Sequence, residues 1–221
     1  MENEHFRFFA LQYLNDWCRY DRGFVEGLSP GKSRDDRLDS LQKAAKYYKI
    51  ARNFKRRPDE NENRLDKALQ ELEAIGNSIT EDKVSSTVCD LAGRLHLSYG
   101  ENVISAASKL LWIRHKSPIV IYDSRANQCL EKECGRSLGR GKYEEYLEEW
   151  RKQFNNRKER IESACAELVN VRGFSLADDM ADEDFKCLVG NRWFAERVFD
   201  RFLWWNAGNK AVLSVEVQTL P

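Results

Sequence analysis

One stretch of the sequence, residues 105–126, constrains the fold of this chain more than any other: SAASKLLWIRHKSPIVIYDSRA. Its first half has apolar residues at helical spacing. Pro118 marks the end of that helix, because proline lacks a backbone donor and fits poorly in a helix interior. A short apolar run follows, and Asp123 then precedes a second helical pattern in a position that favours an N-cap. This order predicts a single carboxylate held rigidly beside an apolar wall.

Apolar residues recur at helical spacing along most of the remaining chain. The patterns predict helices over 5–20, 38–54, 65–75, 81–99, 102–116, 123–134, 143–171 and 183–205, the last one broken near residues 190–191. Glycine and proline cluster in 23–31, which predicts a loop, and 211–217 is the one β-prone run. We therefore expect an all-α fold that forms a single domain over residues 1–221.

The composition, with 42% apolar and 33% charged residues, suits a globular protein rather than a disordered one. None of the apolar runs approaches the roughly 20 residues that span a bilayer, and the N-terminus lacks the basic and apolar regions of a secretory signal. The six cysteines include no C-x-x-C pair. We therefore expect free thiols in a reducing cytoplasm, with no membrane, no metal and no organic cofactor involved.

Charge is distributed unevenly, although 36 basic and 36 acidic residues balance over the whole chain. Ten basic residues and three acidic ones fall between residues 32 and 57. Lys43, Lys46 and Arg52 lie on or near one face of the predicted helix, which favours contact with a nucleic-acid backbone. The alternative for this segment is an ordinary solvated helix face.

Asp123 itself supports two interpretations. As a simple N-cap, its carboxylate would accept backbone N–H bonds and take part in no chemistry. A capped carboxylate is also fixed and oriented, which suits the stabilisation of a positively charged sugar in a transition state. Capping therefore does not exclude catalysis.

The segment that leads to Asp123 resembles the catalytic-aspartate segment of helix-hairpin-helix DNA glycosylases, the superfamily that includes 8-oxoguanine glycosylases. Residues 118–123, PIVIYD, look like a stretched form of the family's V/I-P-V/I-D turn. A Ser-Lys-Leu-Leu helix precedes this turn, and residues 197–204, RVFDRFLW, resemble a C-terminal segment of bacterial proteins with that fold. The resemblance covers residues 91–126 and 193–204. It implies a helical bundle of two lobes around a cleft.

The same resemblance implies a DNA N-glycosylase that excises a modified or damaged base from double-stranded DNA and leaves an abasic site, with Asp123 as the catalytic residue. Ser105 stands where bifunctional members carry their Schiff-base lysine, so we expect a monofunctional enzyme, although Lys109 follows one turn later. One class of similar proteins removes glucosylated hydroxymethylcytosine from phage DNA, which points to anti-phage defence. Repair of an oxidised or alkylated base is the alternative.

Glycosylases extrude the target base and hold it between flat side chains. The resemblance and the position of Asp123 lead us to expect pocket walls from Tyr122, Trp112, Trp193 and Trp204. The residues expected to contact DNA are Lys109, His115 and Arg125, together with Lys43, Lys46 and Arg52. For each aromatic residue the alternative is an ordinary place in the core. For Lys109, the alternative to a nucleophile is an ordinary solvent-facing or phosphate-pairing lysine.

Two features depart from the glycosylase pattern. The family's hairpin reads Leu-Pro-Gly-Val-Gly, whereas residues 97–102 read LSYGEN, with one glycine and with a glutamate that opposes a phosphate. The net charge is also zero. These features favour an alternative, a catalytically inert DNA-binding or protein-interaction module on the same fold. A toxin or immunity partner with no nucleic-acid role is a third hypothesis. A cavity beside Asp123 would favour the enzyme.

Overall fold

A computed structural model of the protein describes residues 2–54, 63–100 and 103–208, with side chains from His5 onward. All regular structure in these ranges is helical, which confirms the all-α prediction. The helices, in chain order, are α1 (Glu2–Asp16), α2 (Arg22–Gly27), α3 (Arg34–Tyr47), α4 (Asp66–Glu73), α5 (Val84–Tyr99), α6 (Ile104–His115), α7 (Ser124–Cys134), α8 (Tyr143–Ala166), α9 (Asp182–Gly190) and α10 (Arg192–Gly208). Turns of π or 3₁₀ helix cover Trp17–Asp21, Ala51–Asn53, Glu81–Lys83 and Glu167–Phe174.

Most predicted helices are present, with ends that differ by a few residues. The predicted helix 143–171 is α8 followed by a 3₁₀ turn, and the predicted break near residues 190–191 separates α9 from α10. The β-prone run 211–217 and the first residue of the predicted helix 102–116 lie outside the described residues. In the described part of the chain, none of the helices combines the length and the apolarity needed to cross a bilayer.

The N-terminal helices contradict the prediction of a loop over residues 23–31. A π turn connects α1 to α2 without a break, and the chain stays helical as far as Gly27. Gly27 allows two helices to pack closely, since a side-chain carbon at this position would lie 2.5 Å from the Ser40 hydroxyl of α3. The glycine that suggested a turn is therefore a packing residue, and the loop begins only after it.

Helix α3 ends at Tyr47, seven residues before the predicted end. Lys49 has a φ of 57°, and the backbone N–H groups of Lys49 and Ile50 donate to the carbonyls of Lys46 (3.1 Å) and Ala45 (2.9 Å). These two bonds form a Schellman motif, whose left-handed residue is usually glycine. Because a lysine occupies that position here, the sequence carries no visible stop signal.

The stretch around Asp123 folds as its sequence predicts. Helix α6 ends at His115, Pro118 lies in the connection, and α7 begins immediately after Asp123. The four residues 119–122 between them are non-helical and buried. Asp123 is therefore displayed at the end of a buried connector.

Helix α10 lies at the centre of the core. It packs against α1, α7, α8 and α9, and every residue from Trp193 to Asp200 is buried. Three of these buried residues, Glu196, Arg197 and Asp200, have ionisable side chains. Since buried charges require partners or a solvent-filled space, α10 points to a polar site inside the helical assembly.

Candidate functional site

The Asp123 carboxylate is held by the start of α7. Its Oδ1 atom accepts a hydrogen bond from the Arg125 backbone N–H at 3.0 Å, which makes Asp123 the N-cap that the sequence predicts. About 30% of the side chain remains exposed. An N-cap of this kind fixes the carboxylate without burying it, so its second oxygen is available to other groups.

The connector before Asp123 is anchored from behind by buried hydroxyl groups. Two tyrosines of α8, Tyr143 and Tyr146, donate to the carbonyls of Val120 (2.7 Å) and Ile121 (2.9 Å). The N–H of the next residue, Tyr122, donates to the Ser108 hydroxyl of α6 at 3.0 Å. These bonds satisfy the polar backbone of a buried, non-helical segment. They also fix the position of the residue that follows, Asp123.

Lys109 is the nearest cation to Asp123. Its Nζ atom lies 3.4 Å from Asp123 Oδ2 and 2.9 Å from the Ser105 hydroxyl, one helical turn earlier on α6. The Lys109 side chain is only 10% exposed. Burial lowers the pKa of Lys109, while the neighbouring Asp123 carboxylate acts in the opposite direction. Ser105, Lys109 and Asp123 therefore form one connected polar group.

This polar group lies in the wall of a cavity of about 910 Å³. Four parts of the chain enclose the cavity: the end of α3 with the turn after it, the start of α6, the start of α7 with its connector, and α10. A loop between α7 and α8 completes it. The lining residues are Tyr47, Tyr48, Lys49, Ile50, Arg52, Asn53, Val103, Ile104, Ser105, Lys109, Ile121, Tyr122, Asp123, Ser124, Arg125, Ala126, Arg140, Gly141, Arg197, Asp200, Arg201 and Trp204.

The cavity lining is strongly cationic in a chain whose net charge is zero. Seven of the lining residues are lysine or arginine and two are aspartate, an excess of about five positive charges when all are ionised. Positive charge concentrated in a concave space raises the local concentration of anionic ligands. The lining therefore favours an anionic ligand, which whole-chain composition does not indicate.

Arg197 and Asp200 contribute a buried ion pair to this lining. Arg197 Nη1 lies 2.7 Å from Asp200 Oδ2, and the other Asp200 oxygen accepts a bond from Trp150 Nε1 at 2.8 Å. The Arg197 guanidinium also lies over the rings of Tyr13 (5.3 Å) and Trp112 (4.8 Å). Burial raises the pKa of Asp200, and the Arg197 charge opposes that effect.

Arg201, one residue beyond Asp200, is also paired. It forms an ion pair with Asp16 of α1 and donates to the Tyr47 hydroxyl at 3.2 Å. Two of the buried or half-buried cations of α10 are therefore neutralised by carboxylates. The cationic excess comes from other lining residues.

Four exposed cations of the lining have no carboxylate partner among the described residues. They are Lys49, Arg52, Arg125 and Arg140. The Arg125 guanidinium stacks on the Trp204 ring at 4.4 Å, which orients it without neutralising it. We call these four residues the rim cations, since all four are exposed and all line the cavity.

The predicted aromatic walls divide into two pairs. Tyr122 and Trp204 line the cavity, where the Tyr122 hydroxyl accepts a bond from the Gly141 N–H at 3.0 Å. Trp112 and Trp193 do not line it. Trp112 is buried beneath Arg197, and Trp193 packs against Trp17 with a centroid distance of 4.6 Å.

The separation of Trp193 from the cavity has a geometric reason. Trp193 and Trp204 are eleven residues apart on α10, which puts them on the same face but about 16 Å apart along the axis. The cavity meets α10 from Arg197 to Trp204 and does not extend back to Trp193. Trp112 belongs to a helix, α6, whose residues are buried from Ile104 to Ile113 except Ser105, so hydrophobic pattern could not reveal which face meets a cavity.

The predicted DNA-contacting cations also divide. Arg52 and Arg125, like Lys109, line the cavity. Lys43 and Lys46 lie on the exposed face of α3 and are not part of the lining, and Lys43 forms an i,i+4 pair with Asp39 at 2.6 Å. The exposed face of α3 therefore has the features of an ordinary solvated helix surface.

His115 lies away from the cavity, at the end of α6. Burial and the neighbouring Arg114 charge lower the pKa of His115 to about 4, which keeps the imidazole neutral at physiological pH. Its Nε2 atom is buried and has no hydrogen-bond partner. Neither its position nor its charge supports the predicted phosphate contact.

Several lining residues were not predicted from the sequence, among them Lys49, Arg140, Arg197, Asp200 and Arg201. The signal for three of them was present in the segment RVFDRFLW, where charged residues interrupt a helix that is otherwise aromatic and apolar. Lys49 and Arg140 lie in turns of the chain. No local pattern connects such turns to a cavity formed by distant helices.

The described residues contain no cluster of three or more His, Cys, Asp or Glu side chains that could bind a metal ion. The lining of the cavity offers a fixed carboxylate, a buried amine, a serine hydroxyl and several arginines. Comparison of the chain with protein-family models, with curated proteins and with solved structures finds no match.

Proposed function

We propose that the protein is a DNA N-glycosylase that removes a modified base from double-stranded DNA and leaves an abasic site. The observation that carries this proposal is the position of Asp123, whose capped carboxylate lines a cavity of about 910 Å³ with a cationic lining. A cationic lining suits a polyanionic substrate. A fixed carboxylate in that lining suits a reaction whose transition state is positively charged.

In the proposed reaction the bond between sugar C1′ and the base nitrogen breaks, and its electron pair leaves with the base. The sugar acquires positive charge, which the Asp123 carboxylate stabilises. A water oxygen then bonds to C1′, one of its protons passes to Asp123 and on to solvent, and the departing base takes up a proton. Tyr122 and Trp204, which line the same cavity, supply flat surfaces for the extruded base.

The size of the cavity supports a bulky base. Its volume of about 910 Å³ lies near the upper end of the roughly 300–1,000 Å³ of small-molecule clefts. An unmodified base alone would leave much of this space to water. We therefore propose a base that carries a large substituent, with glucosylated hydroxymethylcytosine of phage DNA as the first substrate to test and anti-phage defence in the cytoplasm as the role. An oxidised or alkylated base is the alternative.

Lys109 supports a second candidate, a bifunctional enzyme that also cleaves the DNA strand. A buried amine with a lowered pKa is the kind of lysine that acts as a nucleophile, and Lys109 lies 3.4 Å from Asp123. Its nitrogen would bond to C1′ as the base leaves, giving a Schiff base after ring opening and loss of a proton. The first candidate, hydrolysis, assigns Lys109 to the neutralisation and orientation of Asp123.

The inert-module alternative is less well supported. An Asp123 that served only as a helix cap would need no cavity beside it, no buried lysine and no unpaired cations. All three features surround its carboxylate. The two-lobed helix-hairpin-helix arrangement remains part of the proposal, since an all-α fold alone is compatible with other arrangements.

The proposal is tested by incubating the protein with glucosylated phage DNA and with duplexes that carry single oxidised or alkylated bases. Released base is measured by liquid chromatography and mass spectrometry, and abasic sites by an aldehyde-reactive probe. We expect a released base from at least one substrate and none from the Asp123→Asn variant. Equal release by the wild type and the variant would remove Asp123 from the mechanism, and no release from any substrate would favour the inert module.

A further inference from the structure

The rim cations differ from the other cations of the cavity in charge pairing and in exposure. Lys109 and Arg197 are buried and face the carboxylates of Asp123 and Asp200. Lys49, Arg52, Arg125 and Arg140 are all exposed, and no carboxylate of the described residues lies within ion-pair distance of them. Surface lysines and arginines elsewhere on the chain often have such partners, as Lys43, Lys158 and Lys186 do. Exposed cations without an ion pair, such as Lys83 and Lys132, also occur elsewhere in the described part of the chain but do not line the cavity, so the rim cations are distinguished by the opening that they share.

The rim cations come from separate parts of the chain. Lys49 and Arg52 belong to the turn after α3, Arg125 to the first turn of α7, and Arg140 to the loop between α7 and α8. One or two cations are enough to bind a single phosphate, so four around one opening supply more positive charge than one phosphate needs. Cations that converge on one opening from several elements suit a chain of phosphates that passes across that opening.

Local structure fixes two of the rim cations. Lys49 occupies the left-handed position of the Schellman motif that ends α3. The Arg125 guanidinium stacks on Trp204, and stacking uses the face of the guanidinium, so its N–H donors in the plane remain available to phosphate oxygens. The Arg125 guanidinium and the backbone of Lys49 are therefore restricted before any ligand binds, which lowers the entropy lost on binding.

We propose that Lys49, Arg52, Arg125 and Arg140 bind the phosphates on either side of the nucleotide whose base enters the cavity. This inference rests on the proposed glycosylase function and adds to it the part of the DNA that is recognised. It assigns backbone binding to the rim of the cavity rather than to the lysines of α3. Lys49 and Arg140 become DNA-binding residues that no sequence pattern indicated.

The test measures binding without catalysis. The probe is a fluorescein-labelled duplex that contains one tetrahydrofuran abasic-site analogue, which has no base to release, and its dissociation constant is measured over a salt titration. One double variant is Lys49→Asn with Arg52→Gln, in which asparagine tolerates the left-handed backbone at position 49. The second is Arg125→Gln with Arg140→Gln. Circular dichroism and thermal unfolding verify that each variant is folded.

We expect each double variant to bind the abasic duplex roughly tenfold more weakly at moderate salt, and its log–log salt slope to fall by about 1.8 units, since each lost phosphate contact removes about 0.9. The control is Lys158→Gln with Lys186→Gln, which changes the net charge by the same amount at exposed lysines outside the cavity. It should retain the wild-type slope. Lys43→Gln with Lys46→Gln tests the competing α3 face and should also retain most of the slope.

Four results would overturn the inference: rim variants with the wild-type slope, an equal loss in the α3 variant, no binding of the duplex by the wild type, or a nucleoside monophosphate that binds as tightly as the duplex. The last result would indicate a single-phosphate site for a free nucleotide. Failure of the two proposals is distinguishable. If the wild type releases base but the rim variants keep the wild-type salt slope, only phosphate binding by the rim cations is rejected. If the rim variants change the slope but no substrate releases a base, only the glycosylase function is rejected.

Discussion

The Lys109 ammonium lies 3.4 Å from the Asp123 carboxylate, and this contact connects the interior of α6 to the start of α7 in the wall of the cavity. The carboxylate has a backbone donor on one oxygen and the ammonium near the other. Lys109 is the more deeply buried partner, so it depends on Asp123 for compensation of its charge. Substitutions of the two residues therefore have different consequences, and these can be measured separately.

Asp123→Asn should abolish base release and leave the protein folded but less stable, because the buried Lys109 loses the charge that compensates its own. The amide oxygen can still cap α7, because asparagine is as good an N-cap as aspartate. It lacks the charge that stabilises a cationic sugar, and loss of such a group lowers the rate by about 10²–10³-fold. The measurement is single-turnover base release, with thermal unfolding as the check on the fold.

The matched control for this substitution is Asp184→Asn, at an exposed aspartate in the first turn of α9. It should release base at the wild-type rate. Activity of Asp123→Asn within a few-fold of the wild type would show that the carboxylate acts only as a cap.

Borohydride should not trap the wild-type protein on DNA if the enzyme is monofunctional, because no Schiff base forms. Lys109→Ala should then reduce base release only moderately, through loss of the charge that orients Asp123. The assay is covalent adduct formation on denaturing gels after reduction. A trapped adduct that disappears in Lys109→Ala and persists in Ser105→Ala would establish the amine of Lys109 as the nucleophile and the enzyme as bifunctional.

The sequence predicted the local arrangement around Asp123 because each of its signals acts over a few residues. Proline ends a helix, aspartate caps the next one, and the observed α6 and α7 follow these rules. The break before α10 was predictable for the same reason. Gly27 shows the limit of local signals, since its function is contact with Ser40 thirteen residues later, and the glycine alone looks like a turn.

The cavity itself could not be predicted in this way. Its lining joins the turn after α3 to α7 and α10, residues far apart in the chain, and only the packing of helices brings them together. Of the predicted pocket walls, Tyr122 and Trp204 line the cavity, whereas Trp112 and Trp193 do not. Buried aromatic residues are common in any core, so aromatic character alone does not distinguish a pocket wall from packing.

Trp204 and Trp205 provide a test of the pocket wall. They are adjacent and similarly exposed, at 41% and 45%, but Trp204 lines the cavity while Trp205 packs against Phe8 and Phe9. Trp204→Leu should weaken binding of substrate DNA roughly tenfold or more, since stacking on an aromatic side chain contributes about 1–3 kcal/mol per base. Trp205→Leu should change binding less than twofold. Fluorescence anisotropy measures both, and equal effects would place the extruded base elsewhere.

The stability of the protein should depend on pH through Glu196 of α10, which does not line the cavity. Its Oε1 atom accepts bonds from Arg192 (2.8 Å) and Ser117 (3.4 Å), while its Oε2 atom is buried without a partner. Burial raises the pKa of Glu196 to about 7, from about 4.5 in the unfolded chain. The folded protein therefore holds this proton more tightly, and the resulting stabilisation is complete below pH 4.5 and lost as pH rises through 7.

Glu196→Gln removes this dependence, because the amide resembles the protonated acid at every pH. The variant and the wild type should have the same free energy of unfolding near pH 4.5. At pH 8 that of the variant should be higher by about 3 kcal/mol, which is the free-energy equivalent of the difference between the folded and unfolded pKa values of Glu196. Urea denaturation over this pH range measures the difference, with exposed Glu148→Gln as the control. The lowered pKa of His115 makes stability change with pH in the opposite direction. Because His115 is present in both proteins, its contribution cancels from the difference between them. A constant difference across pH would show that Glu196 ionises normally in the folded protein.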